Sequence, residues 1–255
     1  MTTIQCARSL CLKPGRFPVV FLALALAGLS CGGGDSEVDP GSPTRGDGNL
    51  LFNAGLEDGP NPWLGFTTAV DPDPQLHFTR TEAFAHSGKA SAYLQMRDPA
   101  EAAAKARVYY LVQEVQPLEF PEVVSGYYRV ETWKKGAVRQ YLQFVVIAFG
   151  VDNLPGGFPN HQIRYPLAGI DSPPFAIGNA HFNFITRAEP VSGQWVKFET
   201  NVKADFERLW GAAPENFEKI RILFEVRWDA KEAGSVAEAD VYYDDLYLGS
   251  AAGAN

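Results

Sequence analysis

The sequence predicts an all-β sandwich or jelly roll, and two patterns carry that expectation. From Asn49 onward, short runs rich in Val, Ile, Tyr, Phe and Trp alternate apolar with polar residues. That period of two buries one face of each run. Glycine, proline and aspartate punctuate the runs at short intervals, as turn chemistry requires. Neither an internal repeat nor a long helical pattern interrupts them. Aromatic residues make up 13% of the chain, enough to fill a large core with some left for the surface.

The chain opens with a segment of another kind. Arg8, Lys13 and Arg16, with no acid among them, flank or precede an apolar stretch at 17–29 that ends in small residues. Basic, apolar and small regions in that order read as an export signal, and the stretch is too short for a stable membrane span. Gly28-Leu29-Ser30-Cys31 resembles the lipobox of bacterial lipoproteins, with Gly28 where a branched aliphatic residue is usual. The resemblance implies lipidation of Cys31, which becomes the mature N-terminus at the end of a 1–30 signal peptide. Cleavage after Ala27 is the alternative and leaves Cys31 a bare thiol. Cysteine counting favours the first reading: Cys6 and Cys11 leave with the leader, so Cys31 has no disulfide partner. The lipoprotein likeness places the protein in the cell envelope, and Gly32 in place of an aspartate points to the outer membrane. Residues 31–48, almost free of apolar side chains, form a flexible linker. Arg45-Gly46-Asp47 within it is read as a chance triplet.

Strands follow at 50–52, 75–79, 90–96, 107–115, 126–134, 139–149, 194–202, 219–228 and 239–248, within one domain at 49–250 and before a short tail at 251–255. Only 100–106 and 206–210 invite short helices; the first contains Glu101, Ala102, Ala103, Ala104 and Lys105. Residues 150–193 stand apart as a long insertion with six prolines and weak strands near 163–167 and 180–186. A stretch that long inside a domain is functional or holds small strands of its own, and a lid on one rim is one such role.

Charge narrows the partners. The chain carries a formal charge of −8, and removing residues 1–30 takes away Arg8, Lys13 and Arg16 alone, leaving −11. Nucleic-acid binders need a basic face, so that class is excluded. Anionic lipid is equally ill served, which leaves the acyl chains as the only membrane attachment.

Three pieces then occur in order: Asn49-Leu50-Leu51-Phe52-Asn53-Ala54-Gly55-Leu56-Glu57-Asp58-Gly59 followed by Trp63, then His86-Ser87-Gly88-Lys89-Ala90-Ser91-Ala92-Tyr93-Leu94, and last Val241-Tyr242-Tyr243-Asp244-Asp245-Leu246-Tyr247-Leu248. Together they resemble the galactose-binding-like jelly roll, in particular carbohydrate-binding modules of the family 4, 9 and 22 group. The likeness covers 49–249, with Leu56 where Phe is usual. It implies a jelly-roll β-sandwich and a carbohydrate partner.

The last strand offers an independent check. Alternation predicts Tyr242, Asp244, Leu246 and Leu248 on the core face, where an unpaired Asp244 carboxylate is costly. In the resembling modules the corresponding groups surround a structural calcium ion. Carried over, this implies Glu57 and Asp244 as carboxylate ligands, with Ser87 and Lys89 near backbone ligands. Oxygen donors from distant segments suit Ca²⁺. The alternative is that both acids accept hydrogen bonds at strand ends without metal.

For ligand contact, alternation groups Tyr127, Arg129, Glu131 and Trp133 on one face of their strand. It groups Arg221, Leu223, Glu225, Arg227 and Asp229 on the outward face of 219–228, opposite Ile220, Ile222, Phe224, Val226 and Trp228. Tyr141 and Gln143 extend the set. Aromatic rings with Arg and Glu suit sugar, by stacking and by bonding paired hydroxyls. The competing reading is a solvated ladder, with Arg129 opposite Glu225, Glu131 opposite Arg227, and Trp133 tucked under the insertion.

No catalytic constellation accompanies them. His77, His86, His161 and His181 lack metal-ligand spacing, and there is no GxSxG elbow. Glu131 and Glu225 are the available carboxylate pair, each with an Arg two residues away that keeps it ionised. The sequence therefore points to a binding domain, with an adhesive lipoprotein that binds protein partners, and a polysaccharide-degrading enzyme, as alternatives.

Overall fold

Eleven strands and one α-helix make up the described part of the protein, which a computed structural model gives for residues 48–63, 78–98 and 106–253. The leader, Cys31, the linker, most of the 75–79 strand expectation and most of the 100–106 helix expectation lie outside those residues. The strands are β1 (Thr79–Thr81), β2 (Ser91–Asp98), β3 (Ala106–Val115), β4 (Val123–Lys135), β5 (Arg139–Phe149), β6 (Asn160–Ala168), β7 (Phe175–Ile177), β8 (Ala180–Phe182), β9 (Trp195–Asn201), β10 (Lys219–Asp229) and β11 (Ala237–Gly249). They form a five-stranded sheet, β1-β2-β11-β4-β9, and a six-stranded sheet, β3-β10-β5-β6-β8-β7. Long-range antiparallel pairing between strands far apart in sequence gives the two-sheet sandwich of the jelly-roll class.

The core between the sheets is aromatic. Phe224 of β10 is fully buried among Trp63, Phe144, Phe198 and Tyr243, with ring centroids 5.6–6.2 Å away. Ile220, Ile222, Val226 and Trp228 share that face, as alternation requires. The Asn49 side chain ties the start of the domain to its end: Nδ2 donates to the Leu246 carbonyl, and Oδ1 accepts from the N–H groups of Leu51 and Leu248.

Residues 150–193 supply three strands to the six-stranded sheet and do not form a lid. In β6, His161, Ile163, Tyr165 and Leu167 are buried, a period-two run hidden in sequence by polar neighbours and Pro166. Pro166 sits where the β5–β6 register shifts, a position at which a missing N–H donor is tolerated. β7 and β8 form a hairpin closed by Gly178-Asn179, with Gly178 at φ +56°.

The helix α1 (Val202–Trp210) is longer than the sequence suggested. Asn201 caps it by accepting from the Ala204 N–H at 2.8 Å, and Gly211 ends it in the left-handed conformation. Val202, Phe206 and Trp210 are its buried apolar residues.

Two β-bulges overturn the alternation read from sequence. In β11 the register skips between Asp244 and Tyr247, with Asp245 at φ +48°. Val241 and Tyr243 therefore face the core before the bulge, and Leu246 and Leu248 after it. In β4 the register shifts beside Glu131: Val130 pairs with Val241, but Thr132 pairs with Asp240 and Trp133 with Ala239. One extra residue reverses the faces, so Trp133 does not share a face with Tyr127 and Arg129.

Candidate functional site

Trp133 packs against the main core, and its Nε1 donates to Glu189 at 2.8 Å. Gly169, at φ +97°, lies so close that a Cβ there would be 2.7 Å from Trp133 Cζ2. The indole is thus tucked under the 169–189 segment. Trp133→Ala is expected to cost roughly 2–4 kcal/mol of stability while leaving ligand affinity unchanged. Parallel thermal melts and binding isotherms check both halves.

The remaining face residues divide between the sheets. Tyr127, Arg129 and Glu131 lie on the outer side of the five-stranded sheet; Tyr141, Gln143, Glu225 and Arg227 lie on the outer side of the six-stranded one. The cross-strand pairs Arg129–Glu225 and Glu131–Arg227 do not form. Arg129 instead pairs with Glu131, and Arg227 with Asp229. Glu131 and Glu225, on different sheets, do not flank a common cleft.

On the five-stranded side the aromatic faces are already covered. His86 stacks on Tyr127 at 3.5 Å and 15°, Arg129 lies 4.3 Å over Phe84, and Tyr93 stacks on Tyr242. A polar cavity of about 410 Å³ opens at this rim, lined by His86, Tyr127, Lys197 and Asp245 among others. His86 Nδ1 is 2.6 Å from one Asp245 carboxylate oxygen, and Ser87 Oγ donates to the other.

The calcium expectation concerns the ground beside that rim. Glu57, Asp244 and the turn 86–89 do come together. Glu57 Oε1 accepts from the N–H groups of Lys89 and Ala90, and Asp244 Oδ2 from those of His86 and Ser87. Ser87 and Lys89 thus present backbone donors to the carboxylates. Gly88, at φ +61°, is required, since a Cβ would lie 2.3 Å from Glu57 Oε1. Among the described residues no group of three or more His, Cys, Asp or Glu is arranged to hold a metal. Among the described residues Asp244 nevertheless has no cationic partner at its carboxylate. Burial and the neighbouring Asp245 charge push its pKa up to about 7, against the backbone N–H bonds that favour the ionised form. Asp244 Oδ1 in turn accepts from the Asp245 N–H at 2.7 Å, so a cation at this carboxylate would share its oxygens with three backbone donors.

The six-stranded side differs in kind. A polar strip crosses β10 and β5: Gln143 Nε2 donates to Glu225 at 2.6 Å, Tyr141 Oη donates to Asp229 at 2.8 Å, and Arg227 donates to the other Asp229 oxygen. Burial raises the Tyr141 pKa above its usual range. Burial lowers that of Arg227, but Tyr141, Glu225 and Asp229 more than offset this and hold the guanidinium charged. Gln143 Oε1 and Arg227 Nε are buried without a hydrogen-bond partner, so the strip keeps unused polar capacity.

Next to the strip lies a cavity of about 180 Å³, walled by Phe175, Phe182, Phe184, Tyr141, Arg139 and Asp229, together with Pro166, Ile170 and Ile177. Phe175 and Phe182, directly paired across the β7–β8 hairpin, stack at 4.3 Å and 16°. Phe175 is 36% exposed and Ile177 65%. The sequence reading found Tyr141 but missed Phe175, Phe182, Phe184 and Arg139. The available signal was the phenylalanine repetition on either side of Gly178-Asn179.

The fold and this cavity define a jelly-roll sandwich with an aromatic, polar-edged recess on the outer side of one sheet. No protein-family model matches the chain, and no curated protein does. Among solved structures it is similar to a family 61 carbohydrate-binding module in complex with β-1,4-galactotriose, at 15% identity over 78% of this chain and 97% of that one, TM-score 0.41. It is also similar to a family 22 xylan-binding domain from Paenibacillus barcinonensis, at 14% identity, 80% and 93% coverage and TM-score 0.36. A family 28 module specific for non-crystalline cellulose matches at 11% identity, 80% and 97% coverage and TM-score 0.38. These are likenesses of fold alone.

Proposed function

We propose that this is an exported, lipid-anchored protein whose sandwich domain binds a glycan without acting on it, in the recess beside Tyr141. The observation that carries the proposal is the stacked Phe175–Phe182 pair, exposed at Phe175 and half-buried at Phe182, beside Tyr141, Arg139 and Asp229 in one cavity. Flat rings offer a surface to the C–H faces of a sugar, and the polar edge offers partners to its hydroxyls. Arg227, Gln143 and Glu225 fix the orientation of that edge from behind. A binding role without catalysis is supported by the carboxylates themselves: Asp229 is engaged by Arg227 and Tyr141, and Glu225 by Gln143. A glycan-array screen tests the reading. Binding confined to one glycan class is expected; a folded protein that binds nothing on the array would refute it.

Attachment through Cys31 is part of the same proposal and rests on the lipobox resemblance. It predicts partition of the mature protein into detergent, abolished by Cys31→Ala.

Structural calcium held by Glu57 and Asp244 is also a proposal, supported by the uncompensated carboxylate. Because the folded Asp244 carboxyl holds its proton more tightly than the ordinary value of 3.8 allows, its stabilising contribution is complete below that pH. It is lost as pH rises toward 7. In chelator, the melting temperature is therefore expected to fall between about pH 5 and about pH 8, less so in Asp244→Asn, with calcium restoring it at the higher pH. A melt indifferent to calcium at the higher pH would leave the acids as a metal-free latch.

A further inference from the structure

The arginines of this acidic protein are not paired evenly. Arg80, Arg97, Arg129, Arg208, Arg221 and Arg227 each contact a carboxylate. Among the described residues, Arg139, Arg164 and Arg187 form no ion pair, and each either lines the aromatic recess or lies against a ring that lines it. Arg139 lines the cavity. The Arg164 guanidinium lies 5.7 Å from the Phe182 ring centre and donates only to the Gln162 side-chain carbonyl at 3.1 Å. That of Arg187 lies 6.0 Å from Phe184. The one acid lining the cavity, Asp229, is already engaged by Arg227 and Tyr141, and Asp171, next to Ile170, forms no ion pair.

In a chain of net charge −8, three guanidinium groups without ion-pair partners around one set of rings, with Asp229 as the lining acid among the described residues, leave a local excess of positive charge. Guanidinium groups on ring faces keep their N–H forks available for carboxylate or sulfate oxygens. The spread matters too. β5 and β8, which carry Arg139 and Phe182, are two strand spacings apart in the sheet, about 10 Å, longer than one sugar ring. Building on the glycan reading above, we propose that the recess takes an anionic glycan whose sugars carry carboxylate or sulfate groups. Its sugar ring rests on Phe175, which Phe182 backs, and its acidic groups meet Arg139, Arg164 and Arg187.

The test is binding of the full chain to polygalacturonate, dextran sulfate, uncharged dextran, neutral galactan and polyglutamate. At least one anionic glycan is expected to bind about tenfold or more tightly than the neutral ones, with affinity falling as salt is raised. Preference for polygalacturonate assigns the acidic group as carboxylate, and preference for dextran sulfate assigns it as sulfate. Arg139→Ala, Arg164→Ala and Arg187→Ala are each expected to weaken that binding about three- to tenfold with unchanged melts. Equal binding of neutral galactan, with the arginine variants unaffected, would overturn the anionic assignment and leave glycan binding standing. Polyglutamate binding as tightly as the glycans would also overturn it, since charge alone would then suffice. Failure of every glycan to bind would remove this inference together with the reading beneath it.

Discussion

Phe175→Ala is expected to keep the fold and weaken glycan binding roughly tenfold to a hundredfold, by analogy with ring stacking on other flat ligands. Phe175 stands on a three-residue strand at the edge of the six-stranded sheet, where its ring is 36% exposed and stacked on Phe182. Little of the core depends on it: β7 is exposed along its length, and β8 meets the core through His181, whose ring packs on Trp210 at 4.4 Å. Removing the ring takes away the platform and exposes the side of Phe182, so the ligand loses its stacking surface while the sandwich does not lose its centre. An unchanged melt with a weakened isotherm is the expected pair of results. A large drop in stability would mean that the hairpin is structural.

Phe224→Ala acts at the opposite extreme. Its ring is fully buried and meets Trp63, Phe144, Phe198 and Tyr243, which come from the N-terminal segment and from both sheets. Deleting it removes the apolar transfer energy and leaves a cavity that rings fixed in two sheets cannot collapse to fill. A loss of about 3–5 kcal/mol is expected, a large fraction of the stability of a single domain. Denaturant unfolding with an unchanged slope checks it; a loss under about 1 kcal/mol would mean that the sheets do not pack through this residue.

The fold class and most strands were legible because period-two burial is written directly into runs such as Lys219–Asp229, whose inward set of Ile220, Ile222, Phe224, Val226 and Trp228 is as alternation required. β6 was read only in its centre, because Pro166 and the Gln and Arg side chains at its outward positions break the apolar signal. The bulges at Glu131 and Asp245 leave no composition signal, yet each reverses a face. That is why Trp133 left the expected ligand surface and why Tyr243, in place of Tyr242, entered the core. Sheet membership was equally illegible: β4 and β10 have similar Arg–Glu alternation, but pairing over long sequence distances puts them in different sheets. The polar strip of Tyr141, Gln143, Glu225 and Arg227 did come together, since β5 and β10 are direct neighbours in register. The recess beside it depends on a hairpin too short for periodicity to reveal.

The central claim is where the ligand sits, and amide chemical-shift mapping during a glycan titration tests it most directly. Shifts are expected to cluster at 139–143, 164–170 and 175–187, across β5, β6 and the β7–β8 hairpin. Shifts centred on Tyr127, His86 and Lys197, on the other sheet, would contradict the assignment.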